Sequence, residues 1–396
     1  MSTLLLDAEC KKNSDWLTRL GERKRFIPRM VGSNYQPLGT SWSSRPMNDE
    51  LACRKRNQIV SIRGNVRSSV LFFGGYSPMR NVRCNDIHEL SEGGHEARLK
   101  RRRCEWSPRC GLHAHASRDG KVLIIIGGDD GNIRSDTWVS VDGGTCFRER
   151  SDEAPWGGRM QYSTCLFDND TILLCGGISS DSEYLSDLWI SRDQGTAWTR
   201  QTERCPWGPR KGMSVIRLED GSILMAGGSS ESRAFDDVWK STDLGITWSC
   251  ECRRASWKPR EGLSMIQDPL SYEIVMFGGS DHTGHPLSDA WASVDGGVSW
   301  TPRPQLPSDA SPQVVPIVSD HGTLEIYTMG SHDSPTRSFS SQSDLKFIRQ
   351  DCVFLLMLGK RLEKTIPKEI WIGKVLPMAV DLRSLWTRKS AEWKKL

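Results

Sequence analysis

The sequence predicts an all-β chain folded as a β-propeller of six four-stranded blades, with seven as the alternative. Three observations predict it. Double glycines recur at Gly74-Gly75, Gly127-Gly128, Gly176-Gly177, Gly227-Gly228 and Gly278-Gly279, with a worn copy at Met329-Gly330. Their spacing is 53, 49, 51, 51 and 51 residues, a period that belongs to stacked units of short strands rather than to one α/β domain. Each period repeats one series, cleanest from Asp187 to Gly228: an Asp-x-Trp strand, a Ser-x-Asp-x-Gly-x-x-Trp turn, a Pro-Trp-x-x-Arg loop, and a strand pair closed by Gly-Gly. A four-stranded unit cannot bury its own faces, so the copies must stack around an axis.

The chain divides into a leader over 1–38, a propeller over 39–351 and a basic extension over 352–396. The leader is polar, with a short helix expected from Ser14 to Arg23 and a ring-closing strand as its alternative use. The first blade opens near Trp42, because Gly39-Thr40-Ser41-Trp42 matches Gly195-Thr196-Ala197-Trp198, and Arg54 follows at the spacing of Arg210. Its strands are expected at Gln58–Arg63, Ser69–Phe73 and Asn85–Leu90. The second blade has a degraded turn, with Ala97 where Trp belongs, then the basic run Arg98–Arg103 and the strands Lys121–Ile126 and Asp136–Val141.

Blades three to five, from Phe147, Trp198 and Trp248, are the most regular, with apolar runs bounded by Gly, Asp or Ser. The sixth is expected at Gln313–Val318, Leu324–Met329 and Asp344–Ile348, with Ser331–Ser343 as a serine-rich loop. Beyond Asp351 the period is lost. Val353–Leu358 and Glu369–Val375 read as strands that, with Phe26–Tyr35, would build a seventh blade, and Leu382–Leu396 reads as a basic amphipathic helix.

This pattern resembles the kelch family in its Gly-Gly after an apolar strand, its spaced Trp and its Arg before the next strand. The turn is similar to the Asp-box of sialidase-type propellers, at Ser140–Gly144, Ser191–Gly195, Ser241–Gly245 and Ser293–Gly297. The resemblance covers roughly Gly39 to Asp351. It implies a rigid propeller whose variable loops hold a partner. It also brings catalytic precedents to check. Copper radical oxidases need a Cys–Tyr pair, a second Tyr and two His, and this chain of 6 Tyr offers no such set. Sialidases need three arginines, an acid/base Asp and a Tyr–Glu pair. Here Phe26-Ile27-Pro28-Arg29 has its arginine on the wrong side of the corresponding motif.

The repeated residues have backbone reasons. Glycine pairs allow positive φ and close approach at the crowded ring. Asp142, Asp193, Asp243 and Asp295 are expected to accept bonds from the amides ahead of them, and the following Trp to pack between blades.

The binding candidates are the loop pairs Trp106 and Arg109, Trp156 and Arg159, Trp207 and Arg210, and Trp257 and Arg260. Each precedes an inner strand. Around a channel mouth they would suit a partner with acidic and apolar groups, while the structural alternative is that they lock blade to blade.

The loops after Gly-Gly differ in every blade (DDGNIRS, ISSDSEYLS, SSESRAFD, SDHTGHPLS), which makes the rim a second expected binding surface. His282 and His285 beside Asp281, His113 and His115 on one strand, and Cys250 and Cys252 are weak metal candidates. None has the ligands to complete a site, so no metal or cofactor is expected.

Composition narrows the partners. Net charge is +4 over 396 residues, too mild to imply nucleic acid. From Lys360 onward ten Lys/Arg stand against four Asp/Glu, a local excess that could serve nuclear import or an anionic surface. The twelve cysteines have no framework spacing, and no secretory signal or membrane-length apolar run is visible. The expected reading is therefore a monomeric, non-catalytic protein-interaction scaffold, cytoplasmic with the nucleus as alternative, binding an unidentified protein through rim loops and channel mouth. The alternative is a glycan-binding or sialidase/oxidase-like propeller with its site at the channel mouth.

Overall fold

The computed structural model describes residues 43–46, 51, 54–63, 68–91, 97–117, 119–167, 171–268, 271–305, 310–318, 324–330 and 337–343. These residues form an all-β propeller with four-stranded blades. β1 (Ser43–Pro46) comes first and pairs with a distant part of the chain. The first blade follows as β2 (Gln58–Arg63), β3 (Ser68–Ser77), β4 (Val82–Ser91) and β5 (Arg98–Arg101), antiparallel and in that order. The second is β6 (His113–Ala116), β7 (Leu123–Asp129), β8 (Ile133–Ser140) and β9 (Arg148–Ser151).

In the third blade β10 (Arg159–Met160) and β11 (Ser163–Leu166) share the inner position against β12 (Ile172–Ser179), the break falling at Gln161 with φ 51°. β13 (Tyr184–Ser191) and β14 (Thr199–Thr202) complete it. β15 (Ser214–Arg217), β16 (Ile223–Ala226), β17 (Val238–Ser241) and β18 (Ser249–Cys252) make the fourth blade. The fifth is β19 (Ser264–Gln267), β20 (Ile274–Phe277), β21 (Ala290–Ser293) and β22 (Thr301–Arg303).

Five blades are thus built from consecutive strands, which corrects the expected count of six or seven. The remaining sheet is composite. β23 (Ala310–Val318), β24 (Leu324–Gly330) and β25 (Arg337–Ser343) join β1 in the order β1-β25-β24-β23. Two expectations shift with it. The serine-rich stretch expected as a loop contains β25, because that segment finds partners on both sides, in β24 and in β1. The residues after Trp42 do not open the first blade; they give the outer strand of the composite sheet. The helices and strands expected over 14–35 and beyond Asp344 lie outside the described residues.

The repeat explains where the core sits. β7 is buried along its apolar run, and its side chains divide by period two. Leu123 and Ile125 pack with Leu71, Phe73 and Ile87 of the first blade, while Ile124 and Ile126 pack with Ile172 and Leu174 of the third. The same division recurs between the third and fourth blades and between the fourth and fifth. These cores therefore lie between two blades, while a further cluster of Leu51, Ile59, Val70, Phe72 and Leu90 covers the first blade's face away from the second. Outer strands carry the polar residues: β5 and β9 are exposed at three of four positions.

Close approach at the inner end requires glycine. Gly227 has φ +65°, and a Cβ there would stand 2.9 Å from the Arg260 carbonyl oxygen and 2.8 Å from Leu263 Cδ2, both of the next blade. Antiparallel order then fixes the two faces. The hairpins joining second to third strands share one face with the Pro-Trp-x-x-Arg connections between blades, and the Ser-x-Asp-x-Gly turns lie on the other.

Candidate functional site

The four arginines expected at the channel mouth are interior. Arg109, Arg159, Arg210 and Arg260 are 2%, 3%, 1% and 0% exposed, and Trp106, Trp156, Trp207 and Trp257 are buried beside them. Each guanidinium grips the Asp of its own blade's Asp-x-Trp strand with both nitrogens. Arg109 reaches Asp136 at 2.6 and 2.8 Å, Arg159 reaches Asp187 at 2.6 and 3.0 Å, Arg210 reaches Asp237 at 2.6 and 3.1 Å, and Arg260 reaches Asp289 at 2.5 and 2.7 Å.

The same Nη1 donates to the carbonyl of the first glycine of the pair, at Gly127, Gly176, Gly227 and Gly278. The Asp in turn accepts from the indole of the Trp two residues on, Trp138, Trp189, Trp239 or Trp291. Arg159 and Arg210 also donate to the carbonyls of Trp156 and Trp207, and Arg159, Arg210 and Arg260 sit 5.9, 5.8 and 5.7 Å from the ring centres of those loops' tryptophans.

All eight expected binding residues are thus buried in the frame, and each guanidinium is engaged by its own blade's aspartate and glycine carbonyl, as in the alternative in which they lock the structure. Arg54, matched to Arg210 by its spacing but not counted among the candidates, is a fifth member: it holds Asp86 at 2.5 and 2.7 Å and donates to Gly74, although no Pro-Trp precedes it. Here His88 replaces the indole, bonding Asp86 at 3.1 Å. Burial opposes ionisation of Asp86, but the His88 and Arg54 contacts outweigh it and hold the carboxyl well below the usual carboxylate range.

The locks also join blades. The Arg109, Arg210 and Arg260 carbonyls accept from Gly75, Gly177 and Gly228 of the preceding blade, at 2.9, 2.9 and 2.8 Å. On the opposite face the turns close as expected. Ser140 Oγ donates to Asp142 and accepts from the Gly144 amide, while Asp142 takes the Thr145 and Cys146 amides. Asp193, Asp243 and Asp295 repeat this, and Trp198, Trp248 and Trp300 donate to the turn glycines' carbonyls. Each of these indoles meets the buried loop indole edge-on, Trp156–Trp198 at 6.0 Å and Trp207–Trp248 and Trp257–Trp300 at 6.3 Å.

The histidine candidates divide between core and rim. His113 and His115 both contact Thr164 Oγ1 of the next blade, at 2.9 and 2.8 Å. Burial pushes them down to about 4 and about 3, so both rings are neutral at pH 7. His285 faces Asp281, but the carboxylate is engaged by Lys258 at 2.6 Å, by Thr283 and by the loop's own amides. Among the described residues no group of three or more His, Cys, Asp or Glu gathers as a metal site. Cys165 and Cys175 are buried thiols, the first pushed up to about 12 by burial.

What remains accessible on the lock face is the set of hairpin loops. Each is braced differently: Asp130 by Ser107 and Arg134, Ser179 by the Glu183 amide and carbonyl, Ser230 by the Arg233 carbonyl, and Asp281 as above. Their tips, including Asp181, Glu183, Glu231 and His282, are exposed. Compared with known proteins, the chain matches no family model and no curated protein.

Two outcomes are expected. Arg210→Ala should destabilise the full chain in urea unfolding by about 3–5 kcal/mol, because Asp237 loses its counter-ion and Gly227 its donor, and Arg210→Lys should recover only part, since one ammonium cannot form the fork. Stability should also fall as pH drops from about 6.5 to about 4. The unfolded histidines take up protons in that window and the folded ones largely do not, a loss on the order of 5 kcal/mol that His113→Gln/His115→Gln should remove from the pH profile.

Proposed function

We propose that this chain is a non-catalytic propeller of kelch-like type that binds a protein partner on its lock face, through the hairpin loops of successive blades. In the composite sheet β23 lies against both β19 and β2, next to the fifth and the first blades. The observation that carries the reading is a contrast within each repeat. The frame residues (Arg, Asp, Gly and Trp) occupy matching positions and are buried or half-buried. The hairpin tips on that face differ in sequence, length and bracing from blade to blade and are exposed. Repetition serves the frame, and variation on one face of a rigid frame serves recognition.

The glycan reading finds less support. Its stacking platforms would be the loop tryptophans, which are buried, and its anion clamp would be convergent arginines, which here are held apart in separate blades by their own aspartates.

The test is crosslinked affinity isolation with the full chain and with an Asp181→Ala/Glu183→Ala/Glu231→Ala/His282→Ala variant, after both are shown to melt alike. A specific partner held by the intact chain and recovered at least about tenfold less by the variant is expected. Equal recovery by both, or no protein held by the intact chain, would contradict the reading.

A further inference from the structure

The first blade departs from the repeat at one place, and the departures coincide. Where the other blades have Trp138, Trp189, Trp239 and Trp291 two residues after the lock Asp, it has His88. Opposite that position on the outer strand stands Leu99, where the register gives Glu149, Arg200, Cys250 and Pro302 elsewhere. A smaller ring facing a short aliphatic chain leaves an open groove of about 610 Å³ beside His88 and Leu99.

Four arginines line it: Arg80 and Arg83 from the β3–β4 hairpin, and Arg102 and Arg103 just beyond β5. Arg83 is shared with Asp129 at 3.1 Å on the exposed rim. Arg102 and Arg103 are exposed, and among the described residues no carboxylate pairs with them. The groove's own carboxylate, Asp86, is already committed to Arg54 and His88. Val82 and Leu99, 45% and 44% exposed, give the lining an aliphatic strip.

The combination is particular to this blade. Four and three residues before the loop Trp, where the first blade has Arg102 and Arg103, the second has Asp152 and Glu153 and the third has Glu203 and Arg204. The fourth again has an exposed arginine pair, Arg253 and Arg254, but there Trp239 stands at the position of His88. In the hairpin register Ile133 of the second blade stands where the first has Arg83. What the first blade alone joins is an exposed arginine cluster with His88 and Leu99 in one groove.

We infer that the outer groove of the first blade binds an acidic, leucine-type peptide segment of a partner protein, with carboxylates on Arg102 and Arg103 and an aliphatic side chain on Val82 and Leu99. Guanidinium groups match carboxylates in geometry and charge. The aliphatic strip favours peptide over single-stranded nucleic acid, which would ask for several aromatic rings to stack successive bases, whereas the lining offers the His88 imidazole alone, and that is bonded to Asp86. The groove opens on the same face as the hairpin loops, so the inference rests on the interaction reading and adds a charged anchor at its edge.

The test is fluorescence anisotropy with the full chain and a labelled twelve-residue peptide of Glu and Asp containing two leucines. The controls are the same peptide with Gln and Asn in place of the acids, labelled oligo-dT of equal length, and inorganic phosphate as competitor. The acidic peptide should bind and the neutral one should not. Arg102→Asp/Arg103→Glu, which installs the second blade's residues, should weaken binding at least about tenfold. His88→Trp, which fills the groove while leaving its arginines, should weaken it comparably. Equal binding by both variants, or no binding by the intact chain, would overturn the inference. Oligo-dT binding as tight as the peptide, or displacement of the peptide by phosphate, would show a general anion surface and overturn the peptide assignment. Failure here with loop-dependent partner capture intact would leave the interaction reading standing; failure of both would remove it.

Discussion

One guanidinium per blade ties together the parts that a propeller must keep in register. In each of the five blades the arginine before the inner strand holds the aspartate of the third strand and the carbonyl at the end of the second, and in three of them its own carbonyl accepts from the preceding blade. Three strands and a neighbouring blade converge on one side chain. A buried ion pair gains little net stability against a well-packed apolar substitute, but removing one member is costly and the geometry admits one arrangement. The lock therefore acts on register more than on total stability. In a fold of short strands with period-two faces, a slip of one residue would turn every core side chain outward.

Four of the apolar clusters lie between successive blades, so neighbouring blades from the first to the fifth share their cores. The locks fix one face of this arrangement, and the Ser-Asp-Gly turns with their edge-on tryptophan pairs fix the other. With both faces of the frame braced, the hairpins on the lock face can vary without disturbing the stack. That separation lets the first blade carry a basic groove beside His88 while its lock stays intact.

The repeat made the fold legible. Double glycines at a steady spacing, and apolar runs such as 123–126 and 172–175, place the strands of five blades within a few residues of where they stand. The blade boundaries were less legible, because the period in sequence is offset from the blade in space. The segment after Trp42 matches the turn that precedes a fourth strand, and β1 is a fourth strand, paired to the far end of the chain. Pairing across that distance leaves no local signal, nor did serine alternation mark β25. The loop arginines were identified correctly as residues, but their placement depended on a partner in another strand. Asp136, Asp187, Asp237 and Asp289 are visible in the sequence as part of Asp-x-Trp, yet only the fold brings them to the guanidinium. Arg54 lacked the Pro-Trp signature; its spacing from Trp42 marked it as the match of Arg210, and the bond to Asp86 shows the role. The groove could have been suspected from His88 in a Trp position and from the run Arg98–Arg103, had the two been known to share an edge.

If the locks set register across the ring, the blades should open together. Native-state hydrogen exchange on the full chain measures this at the amides of Gly75, Gly177 and Gly228, which donate across blade boundaries to the lock arginines. The account predicts that the three exchange with one opening free energy, equal to that of global unfolding, and that Arg210→Ala lowers all three together. Separate opening energies, with the variant affecting Gly177 alone, would show blades held one by one and would contradict the claim that these side chains govern the assembly.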